Sequence, residues 1–339
     1  MKHPLAHFRH RRTLTTYVVV TLAAVVAACG SSSSTEQTPS SLTLMAYDGF
    51  VPQEGIFDSF TSETGISVKV VTAGDTGTMM SKALLTAGNP EADVMWGVDN
   101  TFISRAEQGK LFTSYELVDY GDVCVNYDKN WFNVRGLAAP STLEDLAQPQ
   151  YKNLLVVQNP ATSSPGLAFL LATVAHFGDG EWETYWSQLR DNGVKVVDDW
   201  TTAYTVEFSG SSGKGDRPLV VSYGSSPPAE VIYSDPPVDT PPTAVMENTC
   251  FRQSEYAGIL RGTKYPTSAA KLIEFLVSKE FQESMPLTLF VYPVNTDAVL
   301  PDVFTKWAVS PKSPLLLDPT DIADNREKWT STWTDIVLR

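Results

Sequence analysis

Apolar runs of strand length alternate with helically spaced stretches along residues 42 to 109. Residues 42–47 (LTLMAY) predict a strand, 54–65 (EGIFDSFTSETG) a helix stopped at Gly65, and 66–71 (ISVKVV) a second strand. A helix follows over 76–88 and a third strand over 92–98 (ADVMWGV). The next helix, 99–109, opens with the capping chemistry of Asp99-Asn100 and stops at Gly109. The middle of the chain repeats the style in 154–159 (LLVVQN), 194–199 (VKVVDD) and 218–223 (PLVVSY), apolar at nearly every position, as strands buried on both faces are. Ala269, Leu272, Ile273 and Leu276 then follow the i, i+3, i+4, i+7 spacing of a helix packed on a core. The alternation predicts an α/β fold with a parallel sheet covered by helices.

In open α/β sheets, ligands lie beyond the carboxyl ends of the strands. Those exits carry Tyr47-Asp48-Gly49, Asp99-Asn100, Asn159 with Thr162-Ser163-Ser164, Asp198-Asp199-Trp200, and Ser222-Tyr223-Gly224-Ser225-Ser226. Singly, each reads as a helix cap, and Ser164-Pro165 and Ser226-Pro227 suit N-cap and N1 positions. Five together, with aromatics and carboxylates close by, point to a site.

The N-terminus is a separate matter. Lys2, Arg9, Arg11 and Arg12 precede an apolar stretch of about 15 residues, short of the ~20 that span a bilayer. Ala27-Ala28-Cys29-Gly30 follows, so 1–28 read as a lipoprotein signal peptide with Cys29 as the lipidated first mature residue. Residues 29–41 offer nothing apolar to bury and read as a flexible tether. Without the signal's four basic residues, 21 Lys and Arg face 39 acids, a net charge of −18. Such a surface repels nucleic acid and anionic lipid and draws in a cation. These features describe an exported, anchored protein.

Hydroxyls at strand exits raise the question of catalysis. A serine nucleophile needs a base and a group to orient it. His176 is the only histidine beyond the signal, and its apolar helical context reads as a core or helix-end residue. Ser222-Tyr223-Gly224-Ser225 lacks Gly-x-Ser-x-Gly spacing, and Gly210-Ser-Ser-Gly-Lys214 lacks Walker spacing and precedes its strand. Catalytic residues are therefore none, and no cofactor is expected. Trp200, Tyr204, Tyr223, Phe290 and Tyr292 instead supply flat faces, and Asp48, Asp99 and Asp198 negative charge, a set suited to an aromatic cation. Ferric iron held by tyrosines and carboxylates is the rival, although the chain has no Tyr-Tyr pair. Cys124 and Cys250, far apart in an oxidising exterior, are a disulfide candidate.

Seven blocks carry a resemblance: 47–50 (YDGF), 93–100 (DVMWGVDN), 125–129 (VNYDK), 159–171 (NPATSSPGLAFLL), 198–204 (DDWTTAY), 220–227 (VVSYGSSP) and 290–295 (FVYPVN). In this order they resemble the thiamine-binding family of extracytoplasmic solute-binding proteins, which serve ABC importers. The resemblance implies a two-lobe periplasmic-binding-protein-like (type II) fold with a hinge. Lobe one would comprise 42–124 plus 251–339 and lobe two 125–250, with a Cys124–Cys250 disulfide stapling the crossings. It implies a non-enzymatic monomer that captures thiamine or its phosphates outside the cell, is lipid-anchored to the bacterial membrane at Cys29, and hands its ligand to a membrane permease. Ferric iron or a polyamine is the alternative ligand for the same fold. Tyr47, Asp48, Asp99, Ser163, Trp200, Tyr204, Tyr223 and Tyr292 would line the cleft, together with Ser226 and Phe290, and no metal ligand is implied. Phe290 stands where relatives carry Trp, and Pro228-Ala229 where they carry a further tyrosine.

Overall fold

The computed structural model describes residues 37–211 and 215–339. The signal peptide, Cys29, the start of the tether and 212–214 lie outside the described residues. The chain opens with β1 (Ser41–Ala46), α1 (Asp58–Thr64), β2 (Ser67–Thr72), α2 (Thr76–Leu85), β3 (Val94–Asp99) and α3 (Ile103–Gln108). A 17-residue strand, β4 (Phe112–Asp128), then crosses to α4 (Lys129–Arg135), α5 (Leu143–Leu146), β5 (Leu155–Gln158), α6 (Ser164–Phe177), α7 (Glu181–Asp191), β6 (Lys195–Val197), β7 (Leu219–Tyr223) and α8 (Pro227–Ile232). The 18-residue β8 (Thr243–Leu260) returns, followed by α9 (Pro266–Leu276), α10 (Lys279–Thr288), β9 (Tyr292–Pro293), α11 (Asp302–Trp307) and α12 (Pro319–Val337).

All strands join one sheet in the order β2-β1-β3-β8-β4-β7-β5-β6, with β9 beside β4. The expected parallel pairing holds at the two wings, β2–β1–β3 and β7–β5–β6. It fails at the centre, where β3–β8, β8–β4 and β4–β7 are antiparallel. The reason is the chain path: β4 carries the chain out of the first wing and β8 brings it back, so the two crossing strands must run in opposite directions. The two-lobe α/β architecture is thus one sheet whose long middle strands serve both wings. The sequence-based boundaries at 124/125 and 250/251 fall inside these two strands.

Each wing carries its own apolar packing. Leu42, Leu44, Trp96, Leu272, Leu276 and Phe281 fill the space between the first wing and α9–α10. A larger cluster runs continuously from Met79, Met95 and Phe102 to Leu167, Phe169 and Trp186. Its spine is α6, whose first eleven residues are all buried; the helix is apolar on every side because it touches β4, β5, β7 and β8. The C-terminal helix α12, grouped with lobe one on sequence, packs on both α7 and α3. Trp333 meets Trp186 edge-on at 5.5 Å, and the Arg326 guanidinium lies 5.4 Å over Phe102. The predicted helix over 54–65 begins only at Asp58, because Gly55 turns the chain at φ +81°.

Cys124 on β4 and Cys250 on β8 are bonded (S–S 2.00 Å) where the pairing of the two strands shifts register. The bridge therefore staples the crossing strands to each other.

Candidate functional site

A cavity of about 800 Å³ opens between the two wings, within the range that takes a small organic ligand. Its first wall comes from the exits of β1 and the start of α2. Tyr47 follows β1 directly, and the Cδ1–Cε1 edge of its ring presses on Gly97: a Cβ there would sit 2.2 Å from Tyr47 Cδ1. Gly97 also has φ +99°, so the site demands glycine twice over. Asp48 accepts from the Gly74 N–H at 2.9 Å, tying the β1 exit to the loop before α2.

Asp75 caps α2 through Oδ1, which accepts from Thr76 N–H at 2.8 Å. Its other oxygen reaches the opposite wing, accepting from Ser163 Oγ–H at 2.6 Å and from Trp200 N–H at 3.2 Å. Burial raises its pKa, and those hydrogen bonds oppose the rise. Gly77 permits this contact, since a Cβ there would lie 2.6 Å from the Ala161 carbonyl oxygen. The start of α2 is thus docked directly on the turn before α6.

The second wall is a slab of rings. Trp200 and Tyr204 stack at 5.0 Å with their planes 12° apart. Tyr204 sits on a widened helical turn (Thr202–Glu207), which Trp200 precedes by two residues and whose Phe208 N–H bonds back five residues to Ala203 O. Such turns shift side-chain register relative to an α-helix. Trp200 Nε1–H donates to Ser222 Oγ at 3.0 Å, Ser222 and Ser226 hydroxyls share a bond of 2.9 Å, and Tyr223 N–H donates to Ser226 Oγ at 3.2 Å. Tyr204 O–H donates to Glu230 at 2.9 Å. The serine cluster therefore braces the rings. Burial pushes the hydroxyls of Tyr47, Tyr204 and Tyr223 well above their ordinary pKa, so all three remain neutral donors.

Of the ten predicted ligand residues, Tyr47, Asp48, Trp200, Tyr204, Tyr223, Ser226 and Phe290 line this cavity. Three do not. Asp99 is buried, accepting from Thr101 N–H (2.9 Å) and Oγ1–H (2.6 Å), Phe102 N–H (3.2 Å) and Ser164 Oγ–H, so bonds to the turn before α3 and to α6 consume it, and the helix expected from 99 begins only at Ile103. Ser163 is spent on Asp75. Tyr292 stacks on Tyr120 at 5.3 Å beside Phe304, because its strand β9 pairs with β4 away from the opening. Asp198 is exposed and offers its backbone oxygen to Thr162, while Asp199 is the acid that faces the cavity. Phe290 adopts φ +57°, and its carbonyl accepts from Ser225 Oγ–H.

Sequence reasoning missed Asp75, Glu230, Tyr233 and Glu255, all lining residues. Asp75 precedes its helix rather than ending a strand, and Glu255 lies in the middle of β8, so the strand-exit rule could not reach them. Tyr233, at the end of α8, meets Phe290 edge-on at 6.2 Å and supplies a ring one helical turn beyond the tyrosine missing at 228–229. Six carboxyl residues line the cavity (Asp48, Asp75, Asp199, Glu230, Asp235, Glu255), and among its described residues there is no Lys, Arg or His. His176 closes α6 at the surface with Glu144 at 2.7 Å. Among the described residues no three metal-ligating side chains are grouped to hold an ion.

Two α/β wings joined by crossing strands, with rings and carboxyls facing each other across a cavity, define the two-lobe class of solute receptors. Residues 93–309 match the bacterial extracellular solute-binding proteins, and the chain belongs to that family. It is similar to the thiamine-binding periplasmic protein of Salmonella typhimurium (strain LT2), 29% identical over 88% of this chain and 94% of that one. A solved periplasmic thiamin binding protein superposes with a TM-score of 0.78 at 26% identity, over 88% of this chain and 96% of that one. Iron-bound HitA from Pseudomonas aeruginosa, 18% identical with a TM-score of 0.70 over 88% and 99% of the two chains, shares the fold. These relatives are binding proteins, a non-enzymatic class.

Proposed function

We propose that this protein is the substrate-binding component of an ABC importer and captures thiamine, or a thiamine phosphate, outside the cell. One observation carries the reading: a cavity with a stacked Trp200–Tyr204 pair, Tyr47 and Tyr223, six carboxyl residues and, among its described residues, no basic side chain. Aromatic faces attract a delocalised cation by about 0.5–2 kcal/mol each, more once water is excluded. Carboxyls accept from exocyclic amines. The similarity to thiamine-binding periplasmic proteins over most of the chain supports the same ligand.

In this reading no bond is made or broken. The rings sandwich the heterocycle, and closure brings Asp75 to Ser163 and Trp200, shutting the ligand in a poorly hydrated space where each polar contact strengthens. The closed form presents both lobes to the permease. Export by residues 1–28 and lipidation of Cys29 would hold the monomeric receptor at the membrane, with 29–41 as its leash.

Calorimetric titration with thiamine, thiamine phosphate, spermidine and ferric citrate tests the reading. Saturable one-to-one binding of a thiamine compound supports it. Binding of iron or spermidine in its place overturns it.

A further inference from the structure

The floor of the cavity carries an arrangement that ring stacking does not use. Asp99 on β3, Glu255 on β8 and Asp119 on β4 are direct register partners, so three carboxyls form one rung across three adjacent strands. All three are buried, with relative exposures of 0%, 4% and 0%. Asp99 is fully bonded as an anion. The other two are half-bonded: Asp119 Oδ2 accepts from Trp96 Nε1–H at 3.0 Å and Glu255 Oε1 from Gln253 Nε2–H at 2.7 Å. Asp119 Oδ1 and Glu255 Oε2 have no hydrogen-bond partner among the described residues. Of the three, Glu255 lines the cavity.

We propose that Glu255 is a ligand-contacting residue: its free Oε2 takes an amine hydrogen or the positive charge of the ligand, and that contact expels to solvent the single proton that Glu255 and Asp119 share in the empty protein. The proposal rests on the cationic-ligand reading for its first half only. Three carboxylates in one buried rung repel one another, and unpaired buried charge is expensive, so a proton is the cheapest neutraliser until a cation arrives. The groups that face Glu255 reinforce this. Asp99, Asp119 and Asp75 are acidic, and Tyr47 from the β1 exit and Tyr223 from β7 are phenols. Gln253 donates to it from its own strand. Arg326 of α12 pairs with Glu327 and interacts electrostatically with Asp99, not with Glu255. Burial raises Glu255 well above the carboxylate range and Asp119 to about 7, and the two titrate as a pair.

The sign follows. A folded protein that keeps this proton to higher pH than the unfolded chain binds more protons, so its stability falls as pH rises from the ordinary carboxylate range through about 7. Ligand affinity moves the other way, tightening over the same window because the competing proton leaves.

The test has two arms. In the first, thiamine is titrated into the mature protein one pH unit below the titration near 7, at about pH 6, in two buffers of different ionisation heat. About one proton released per ligand is expected, with the affinity rising up to about tenfold per pH unit below pH 7. Glu255→Gln should bind at least tenfold more weakly and release none. Equal affinity and equal proton release in the variant overturn the proposal. The second arm needs no ligand. The melting temperature of the unaltered protein should fall between pH 5 and 8, while Glu255→Gln and Asp119→Asn flatten the profile. Identical profiles overturn the shared proton. If thiamine fails to bind the unaltered protein, the thiamine reading falls, and the second arm still decides whether the rung holds a proton. If Glu255→Gln does not fold, Asp119→Asn carries both arms: an affinity that no longer depends on pH supports the proposal, and unchanged proton release overturns it.

Discussion

The two walls of the cleft are built on opposite plans. The second-wing wall is braced from within: Trp200, Tyr204 and Tyr223 are fixed through Ser222, Ser226 and Glu230, all from the same wing. The first-wing wall is completed from outside. Asp75 finds two of its partners, Ser163 Oγ and Trp200 N–H, across the cleft, and Glu255 on the shared floor keeps one oxygen free. A wall braced within its own wing can hold a ligand before closure, whereas one satisfied across the gap forms only as the wings meet. On the proposed reading, the rings would dock the ligand and the acids would decide whether the protein shuts on it.

The largest way to break this asymmetry is Trp200→Ala. It removes the outer face of the stacked pair and should weaken thiamine binding about 100-fold, or about 2.7 kcal/mol, in calorimetry. Melting should be little changed, since Trp200 is only half-buried. Asp75→Asn keeps the helix cap but replaces the anion that accepts from both cross-cleft donors. About a tenfold loss is expected, as is proper for charge-assisted bonds. Small-angle scattering should then show the liganded variant less closed than the unaltered protein, and equal closure would contradict the role given to Asp75. Ser226→Ala loosens the brace under Trp200 and Tyr223 and should cost a few-fold in affinity with no change in closure. The smallest effect on binding belongs to Cys124→Ser with Cys250→Ser, because the bridge joins the crossing strands and lies in neither wall. Affinity should stay within about twofold while stability drops by about 2–5 kcal/mol, read as a lower melting temperature.

Much of the first wall's chemistry escaped sequence reasoning for a definable reason. Strand exits are legible because an apolar run ends and polar residues begin, and that rule found Tyr47, Asp48, Trp200, Tyr223 and Ser226. It also selected Asp99 and Ser163, which sit at exits but are consumed by local bonds. Aromatic character and the resemblance together selected Tyr292, which pairs with β4 through β9 and stacks on Tyr120 instead. The rule passed over Glu255 because a carboxyl in mid-strand has no local signature.

Hydrophobic spacing by itself determined the wings: continuous apolar runs make doubly covered strands and 3.6-spaced ones make helices, since burial of side chains is decided within a few residues. Net charge likewise pointed, as an expectation, to a cationic rather than an anionic ligand. The tertiary structure alone decided that β4 and β8 run antiparallel through the middle, that Asp99, Glu255 and Asp119 stand in one rung, and that Asp75 meets the opposite wing. Those relations join residues dozens to more than a hundred positions apart, and their energies depend on strand register and on water excluded by closure, which no local stretch of sequence specifies.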